Sequence, residues 1–205
     1  MEQSEHTLVD ALLAGDEGTF EKVVSQYQHR LVRVARLYVR TDAQAHDVVQ
    51  ETWLAVLRGL SKFERRSSLR TWLFHIVANR ARTHAVREGR LVPFGDGEAD
   101  GRDHSAEAAW FDAQGSWAQP PAGWPSLDPE ALLLGAETRA TLLRAIDALP
   151  DGQRAVVVLR DVDGLDAAEV CNVLEISETN QRVLLHRGRT KVRAALAGTL
   201  KRPGR

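Results

Sequence analysis

The stretch Asp166–Arg193, DAAEVCNVLEISETNQRVLLHRGRTKVR, predicts two helices separated by a tight turn. Asp166 can cap the first helix and Ser177 the second, because short polar side chains accept hydrogen bonds from the unpaired amides of a first helical turn. Glu175-Ile176-Ser177 forms the turn between them. Two short helices joined in this way, the second of them basic, indicate a helix-turn-helix unit.

The second of these helices carries side chains suited to a DNA duplex. A recognition helix places its first turns in the major groove, where arginine suits guanine and asparagine suits adenine. The residues that we expect to face base edges are Thr179, Asn180, Arg182, Val183, His186 and Arg187. Those expected to face phosphates are Arg189, Lys191 and Arg193. The alternative interpretation is a solvent-exposed amphipathic helix with a basic face.

Helical periodicity extends over both ends of the chain, whereas no sustained strand alternation occurs. Apolar residues recur at three- and four-residue steps from Phe20 to Tyr38, from Val48 to Leu60 and from Leu69 to Val77. Thr41 and Ser68 are suited to cap the second and third of these helices. Further helices are expected from Leu142 to Leu149 and in the segment before Asp163-Gly164. The sequence therefore predicts an all-α fold.

Charge is distributed in opposed blocks. Residues 1–57 carry a net charge of −4, residues 58–92 carry +7, residues 93–137 carry −8 and residues 138–205 carry +4. The near-neutral total of −1 therefore hides two basic segments separated by an acidic one. Such segregation is typical of a protein that meets nucleic acid at two places.

The acidic segment 93–137 reads as a linker, because most of the prolines and many of the glycines fall within it. It also contains the aromatic residues Trp110, Phe111, Trp117 and Trp124, which are uncommon in solvated linkers. These rings either pack on the protein's own domains or dock on a partner, and the sequence leaves both interpretations open.

Several function classes are disfavoured. The sequence contains no nucleophile elbow, phosphate-binding glycine loop or zinc-protease motif, so we expect no enzyme, no catalytic residue, no metal and no cofactor. No apolar run is long enough to span a bilayer, and the acidic N-terminus does not resemble a signal peptide. The single cysteine, Cys171, lies on the predicted buried face of its helix and fits a reducing cytoplasm.

The first basic segment combines cations with aromatic rings. Phe63, Trp72 and Phe74 stand among five arginines, an arrangement suited to unstacked bases because each base offers a π-face and a phosphate. The arginines are Arg65, Arg66, Arg70, Arg80 and Arg82. Trp72 also lies on the apolar stripe, and for this residue we favour a core position. The helix before this segment exposes Asp47, Gln50, Glu51 and Leu54, which suit either a basic protein partner or plain solvation.

Together these stretches resemble an extracytoplasmic-function sigma factor of the sigma-70 family. AHDVVQETWLAVLRGLSKFERRSSLRTWLFHIVANRAR, residues 45–82, resembles region 2, and residues 149–193 resemble region 4. The resemblance implies two small helical domains, a region 2 bundle at 1–92 and a region 4 helix-turn-helix at 138–205, joined by the acidic linker. It further implies binding to the clamp helices and flap of core RNA polymerase, to melted −10 DNA and duplex −35 DNA, and control by an anti-sigma factor, with no membrane involvement.

The resemblance also assigns residues. Those matching the polymerase-binding helix are Asp47, Gln50, Glu51 and Trp53. Those expected at the −10 element are Phe63, Arg65, Arg66, Ser67, Ser68, Asn79 and Arg82. The loop 63–68 and Asn79 match the family's base-holding positions. Arg82 is included because it belongs to the basic segment. Arg182, Val183, His186 and Arg187 match the −35 reading positions.

Three residues depart from the family pattern. His46 replaces an acid, which predicts a weaker or pH-sensitive clamp contact. Glu175 replaces a turn glycine and is expected to have a positive φ, at a cost of about 1 kcal/mol. Gly188 replaces an alanine, which costs about 1 kcal/mol of helix stability.

Two other functions remain open on sequence grounds. A conventional helix-turn-helix regulator would use only the C-terminal basic segment and leave residues 1–92 as a sensor. A helical adaptor that binds only protein would make both basic segments incidental.

Overall fold

The computed structural model describes residues 2–89 and 136–200, and both segments are helical without any strand in these ranges. The chain divides into two compact units, one built on the helices before residue 90 and the other on the helices after residue 135. The predicted linker, with its four aromatic residues, lies outside the described residues up to Gly135.

Within residues 2–89 the first unit contains four helices and one short 3-10 turn. These are α1 (Glu2–Leu13), α2 (Glu17–Ala35), α3 (Asp42–Gly59), the 3-10 turn (Leu60–Lys62) and α4 (Leu69–Arg87). Helices α2, α3 and α4 pack against one another in all three pairings, and α1 contacts α2 and the 3-10 turn.

Side-chain caps set the start of α3 and of α4. The Thr41 hydroxyl accepts a hydrogen bond from the Gln44 amide at 3.2 Å, and the Gln44 side chain accepts one in return from the Thr41 amide at 3.2 Å. Ser68 accepts from the Thr71 amide at 3.1 Å. Both caps were predicted from the sequence, and each satisfies amides that have no partner within the helix.

The core of the first unit follows most of the predicted apolar positions. Leu31, Val34, Val49, Leu73 and Val77 are fully buried, as periodicity requires of a helix face that meets its neighbours. Two predictions fail here. Leu57 was assigned to the apolar stripe of α3 but is 54% exposed, and Phe74 was grouped with the base-stacking rings but has no exposed surface. Phe74 belongs to the core because its position on α4 lies between Leu73 and Val77.

Within residues 136–200 the second unit contains four helices and one π-helical turn. These are α5 (Ala136–Asp147), α6 (Asp151–Val157), the π-helical turn (Val158–Val162), α7 (Ala167–Leu174) and α8 (Glu178–Leu200). Helix α8 packs on α5 and α6. The π-helical turn was not predicted, and within it the Asp163 amide donates to the Val158 carbonyl at 2.9 Å. Leu143, predicted on an apolar stripe, is exposed, whereas Ile146 and Leu149 of the same stripe are buried.

The turn between α7 and α8 has the conformation that the sequence predicts. Asp166 and Glu169 form a reciprocal capping box at the start of α7, and Ser177 accepts from the Asn180 amide at the start of α8. Glu175, between these helices, has φ 57° and ψ 48°, the left-handed region. The expected positive φ at this non-glycine residue is confirmed.

Gly188 has a packing role that the sequence did not indicate. A Cβ atom at this position would lie 2.6 Å from Cγ2 of Val157 and 3.3 Å from the carbonyl oxygen of Gln153. Helix α8 therefore crosses α6 closely because residue 188 has no side chain. The expected loss of helix propensity remains, but it is accompanied by a contact that alanine would disrupt.

Candidate nucleic-acid and protein interfaces

One side of α3 forms an exposed surface that combines acids, an amide and leucines. Asp47, Gln50 and Glu51 are exposed, and Leu54 and Leu57 on the same side are 53% and 54% exposed. The residues are three or four positions apart, so they share one helix face. We call these five residues the α3 surface. The sequence identified all of them except Leu57, which it placed in the core because periodicity alone does not separate a buried stripe from a docking stripe.

Glu51 has a partner within the protein. Its Oε2 lies 3.3 Å from Nη1 of Arg80 on α4. Arg80, one of the arginines of the first basic segment, is therefore held by an acid of α3.

Trp53 supports the α3 surface from behind. Its indole Nε1 donates to Oε1 of Gln28 at 2.7 Å, and its ring meets the Phe20 ring edge-on with centroids 5.8 Å apart. Both partners belong to α2, and Trp53 is half-buried. Its polar atom is thus used to hold α3 on α2, whereas the resemblance assigns this residue to polymerase binding.

The loop 63–68 brings most of the residues predicted at the −10 element together. Phe63 and Trp72 are half-buried and stack with ring centroids 4.8 Å apart at an interplanar angle of 37°. Arg66 is exposed and pairs with Glu64 at 2.7 Å. Trp72, favoured as a core residue on sequence grounds, therefore lies at the edge of the loop, where one side of the aromatic pair meets solvent.

The loop borders a pocket of about 310 Å³. Phe63 and residues 65–68 line one side, and Glu5, His6 and Val9 of α1 line the other. The sequence analysis did not identify α1 as part of this site. Its acids at positions 5 and 10 are separated from the loop by more than fifty residues, so periodicity carries no signal of the contact.

Asn79 and Arg82 lie away from this pocket, on α4. Arg82 Nη1 donates to the Asn79 side-chain oxygen at 3.2 Å, and the Asn79 amide nitrogen lies 3.3 Å from Nδ1 of His75. Asn79 lines a second pocket of about 430 Å³, which Glu51 and Arg80 also line. The predicted −10 residues thus fall into two groups on the first unit.

The exposed side of α8 carries part of the predicted −35 set. Thr179 and Lys191 are exposed, and Asn180, Arg182 and Arg187 are half-buried. Arg182 Nη2 lies 3.4 Å from Oε2 of Glu178, one helical turn before it. This pair leaves the arginine on the surface near the start of the helix, where a recognition helix meets base edges.

Val183 and His186 were predicted to face base edges, and both are buried. They are 6% and 8% exposed, and Leu184 and Leu185 between them are also buried. Four consecutive residues cover a full turn of helix, so α8 is buried around its whole circumference between residues 183 and 186. Both side chains are thus buried in the protein without DNA, and their assignment to base reading stays a prediction.

Arg189 is engaged inside the second unit. Its guanidinium contacts Asp161 of the π-helical turn, with Nη2 2.6 Å from Oδ1. The predicted phosphate contact by Arg189 competes with this ion pair. This ion pair was not predicted, because the partner lies in an irregular turn 28 residues earlier.

Cys171 was predicted on the buried face of its helix, but its side chain is only half-buried. Desolvation raises the pKa of its thiol, with a smaller contribution from the nearby Glu178 carboxylate. A raised pKa reduces the thiolate fraction at neutral pH, so the thiol is a weak nucleophile and a weak metal ligand. Within residues 2–89 and 136–200 no group of three or more His, Cys, Asp or Glu side chains is arranged to hold a metal ion.

Comparison with protein families matches both units. The family described as Sigma-70 region 2 matches residues 23–91, and the family described as Sigma-70, region 4 matches residues 139–192. Both matches fall on the stretches that the sequence analysis assigned to these regions.

Curated relatives cover nearly the whole chain. The ECF RNA polymerase sigma-E factor of Escherichia coli K12 is 30% identical over 189 residues, 92% of each chain. The protein of the same name from Salmonella typhimurium LT2 has the same identity and coverage. The RNA polymerase sigma-H factor of Pseudomonas aeruginosa is 28% identical over 98% of this chain and 97% of its own.

Two solved structures share the fold. CnrH in complex with the cytosolic domain of CnrY aligns with a TM-score of 0.55 at 23% identity, over 95% of this chain and 97% of that one. The sigma factor RpoE from Bartonella quintana in complex with the anti-sigma factor NepR aligns with a TM-score of 0.54 at 21% identity, over 87% and 96%. Among the described residues, none of the helices has the length and apolar character needed to cross a bilayer.

Proposed function

Since the chain belongs to the extracytoplasmic-function group of the sigma-70 family, we propose that it directs core RNA polymerase to its promoters through the three surfaces described above. The α3 surface binds polymerase, the loop 63–68 holds melted −10 DNA, and α8 meets the −35 duplex. We assign the protein no catalytic role of its own and place it in the cytoplasm, with the polymerase.

The observation that carries the proposal is the exposure of Leu54 and Leu57 among acids on α3. Large exposed leucines on a helix that is otherwise packed favour a protein partner. The surrounding Asp47 and Glu51 carboxylates favour a partner surface that is basic, and they disfavour nucleic acid at the same place. Polymerase binding accounts for both features at once.

At the −10 element, the loop offers an aromatic pair beside cations. Phe63, which packs on Trp72, lines the same pocket as the exposed Arg66. An aromatic ring beside a cation suits an unpaired base and its phosphate. Ser67 and Ser68 line the same pocket. We assign the Ser67 hydroxyl to a base edge, whereas the Ser68 hydroxyl also caps α4. Asn79 and Arg82 lie outside this pocket. We therefore assign them to nucleotides of the −10 DNA next to those held in the pocket.

At the −35 element, we assign base contacts to Thr179, Asn180, Arg182 and Arg187, and a phosphate contact to Lys191. These side chains are exposed or half-buried on α8. Val183 and His186 contribute to the same reading only if their burial is relieved on DNA binding.

Control by an anti-sigma factor follows from the structural relatives. One relative is described in complex with the anti-sigma factor NepR and the other with the cytosolic domain of CnrY. We propose a regulator of this class for the present chain, and the exposed leucines of α3 give it an apolar surface to cover.

Gel filtration of the full chain with core RNA polymerase, before DNA is added, tests the proposal. Asp47→Arg reverses a charge at the N-terminal end of the α3 surface and is expected to weaken binding to core at least about tenfold, because like charges placed across an interface cost several kcal/mol. Glu21→Arg is the matched control, since Glu21 is an exposed acid on α2 outside this surface. Equal binding by wild type and Asp47→Arg would refute the assignment.

A second variant separates DNA reading from polymerase binding. Arg187→Ala is expected to reduce transcription from −35-dependent promoters while binding to core polymerase is unchanged, because α8 is distinct from the α3 surface. Parallel loss of both activities would contradict the division of roles. A regulator that used only its helix-turn-helix would not bind core in the first experiment.

A further inference from the structure

Helix α1 contacts the loop 63–68 and the first residue of α4 through two carboxylates. Oε1 of Glu5 accepts a hydrogen bond from the Leu69 amide at 2.5 Å. The Asp10 carboxylate forms an ion pair with the Arg65 guanidinium. Arg65 and Leu69 lie where the proposed −10 site joins α4. The acidic helix α1 therefore contacts the basic loop that is proposed to bind DNA.

The Arg65 guanidinium and the Leu69 amide are groups of the kind that bind phosphate. A free backbone amide at a helix start and a guanidinium both favour anions, and in nucleic-acid complexes they commonly meet phosphate oxygens. Here each of them holds a carboxylate of α1. In addition, Glu5, His6 and Val9 form one wall of the pocket of about 310 Å³ beside Phe63.

The contact has the properties of one that can open. The Asp10 and Arg65 side chains are 64% and 33% exposed, and exposed ion pairs are weak because water and salt screen them. Arg65 also has a φ of 57°, a left-handed conformation that is unfavourable for a residue with a Cβ atom. Release of Asp10 would let the loop leave this conformation.

We propose that α1 is an autoinhibitory cover, whose Glu5 and Asp10 carboxylates occupy groups that the phosphates of the melted strand bind in the open complex. This inference rests on the proposed function, since it assigns the loop 63–68 to −10 DNA. Single-stranded DNA and α1 then compete for Arg65 and the Leu69 amide. The cover lowers the affinity of the free protein for single strands and is displaced when the melted strand enters.

The test measures the affinity of the full chain for a short fluorescein-labelled single-stranded oligonucleotide of mixed sequence, by fluorescence anisotropy. Asp10→Asn removes the ion pair while keeping the size of the side chain. Glu5→Gln keeps a carbonyl acceptor for the Leu69 amide but removes the charge. Glu21→Gln, an exposed site on α2, is the control for the change in net charge alone.

We expect Asp10→Asn to tighten binding roughly two- to fivefold, the range that the loss of one exposed ion pair supports. Glu5→Gln is expected to change the affinity in the same direction, because the amide oxygen competes less well than a carboxylate with phosphate for the Leu69 amide. Glu21→Gln should change the affinity less than either. Unchanged or weakened binding by both α1 variants would overturn the proposal, and weakened binding would instead make α1 a DNA-contacting wall of the pocket.

Hydrogen exchange gives a second, independent readout on the wild-type chain. Amides of α1 should exchange faster when the oligonucleotide is bound, because the helix is displaced from the loop. Stronger protection of α1 on DNA binding would contradict displacement.

Arg66→Ala separates failure of this inference from failure of the proposed function. Arg66 pairs with Glu64 of its own loop and not with α1. If Arg66→Ala weakens binding while the α1 variants have no effect, the −10 assignment stands and the cover is refuted. If Arg66→Ala has no effect either, the −10 assignment of the loop itself fails.

Discussion

Arg189 of α8 and Asp161 of the π-helical turn form a two-point ion pair, with Nη2 2.6 Å from Oδ1 and Nε 2.9 Å from Oδ2. The planar guanidinium matches the carboxylate, so the pair fixes direction as well as distance. It joins the proposed DNA-binding helix to the irregular end of α6. Arg189 therefore has a structural partner as well as a predicted phosphate contact.

Asp161→Asn is expected to have opposite effects on stability and on DNA binding. Loss of the ion pair should lower the free energy of unfolding of the second unit by up to about 1 kcal/mol, since both side chains are about one-third exposed. The released Arg189 can then bind phosphate, which should steepen the dependence of log K on log salt by about one unit for duplex DNA. Urea denaturation and binding titrations at several salt concentrations measure the two effects. A salt dependence unchanged by the substitution would show that Arg189 does not reach the duplex.

Gly188→Ala is expected to destabilise the second unit although alanine is the better helix former. The added Cβ would lie 2.6 Å from Val157 Cγ2 and 3.3 Å from the Gln153 carbonyl oxygen. Overpacking of this kind costs about 1–3 kcal/mol, more than the gain of about 1 kcal/mol in helix propensity.

Chemical denaturation followed by helical circular dichroism measures the Gly188→Ala effect. Gly18→Ala on α2 is the control, because its Cβ would meet nothing closer than 3.7 Å. The control should be neutral or stabilising. A higher midpoint for Gly188→Ala would mean that α8 moves away from α6 without loss.

Glu175→Gly should stabilise the turn between α7 and α8. Glycine adopts φ 57° without the steric penalty of a Cβ atom, and the gain of about 1 kcal/mol is partly offset by the greater freedom of glycine in the unfolded chain. We therefore expect a small rise in the thermal midpoint of the second unit. Glu175→Ala keeps the Cβ and should give no such rise, so an equal rise in both variants would assign the effect to the carboxylate and not to the backbone.

Trp53→Phe should weaken polymerase binding indirectly, by loosening the support of the α3 surface. The substitution keeps an aromatic ring beside Phe20 but removes the donor to Gln28, which contributes about 0.5–1.5 kcal/mol. A double-mutant cycle with Gln28→Leu on stability should show coupling between the two residues, since both changes remove the same hydrogen bond. Coupling in stability together with a modest loss of core binding would identify Trp53 as a positioning residue. Loss of core binding with no change in stability would instead indicate direct contact.

Local chemistry explains what the sequence predicted well. The caps at Thr41, Ser68, Asp166 and Ser177 involve partners within three residues, so sequence spacing contains the whole interaction. The positive φ of Glu175 was expected from the family resemblance, because the family has a glycine at this turn position. The helices that follow these caps, their order and their starting residues could therefore be predicted from the amino-acid sequence.

Contacts between distant segments explain what the sequence missed. Leu57 and Leu143 fit an apolar stripe, but periodicity does not say which edge of a stripe faces a neighbouring helix and which remains exposed. The ion pairs of Asp10 with Arg65 and of Asp161 with Arg189 join residues 55 and 28 positions apart. The burial of Val183 and His186 also depends on packing that charge and position alone do not reveal.

The absence of a side chain at residue 188 constrains how this family member can change its DNA preference. Because α8 approaches α6 closely at that point, a rotation that brought a neighbouring side chain of α8 to this place would bring it against Val157 and Gln153. New specificity would have to arise by exchanging individual surface side chains on a fixed helix. Preference for promoters should therefore shift in discrete steps, one base position at a time, and not by gradual reorientation.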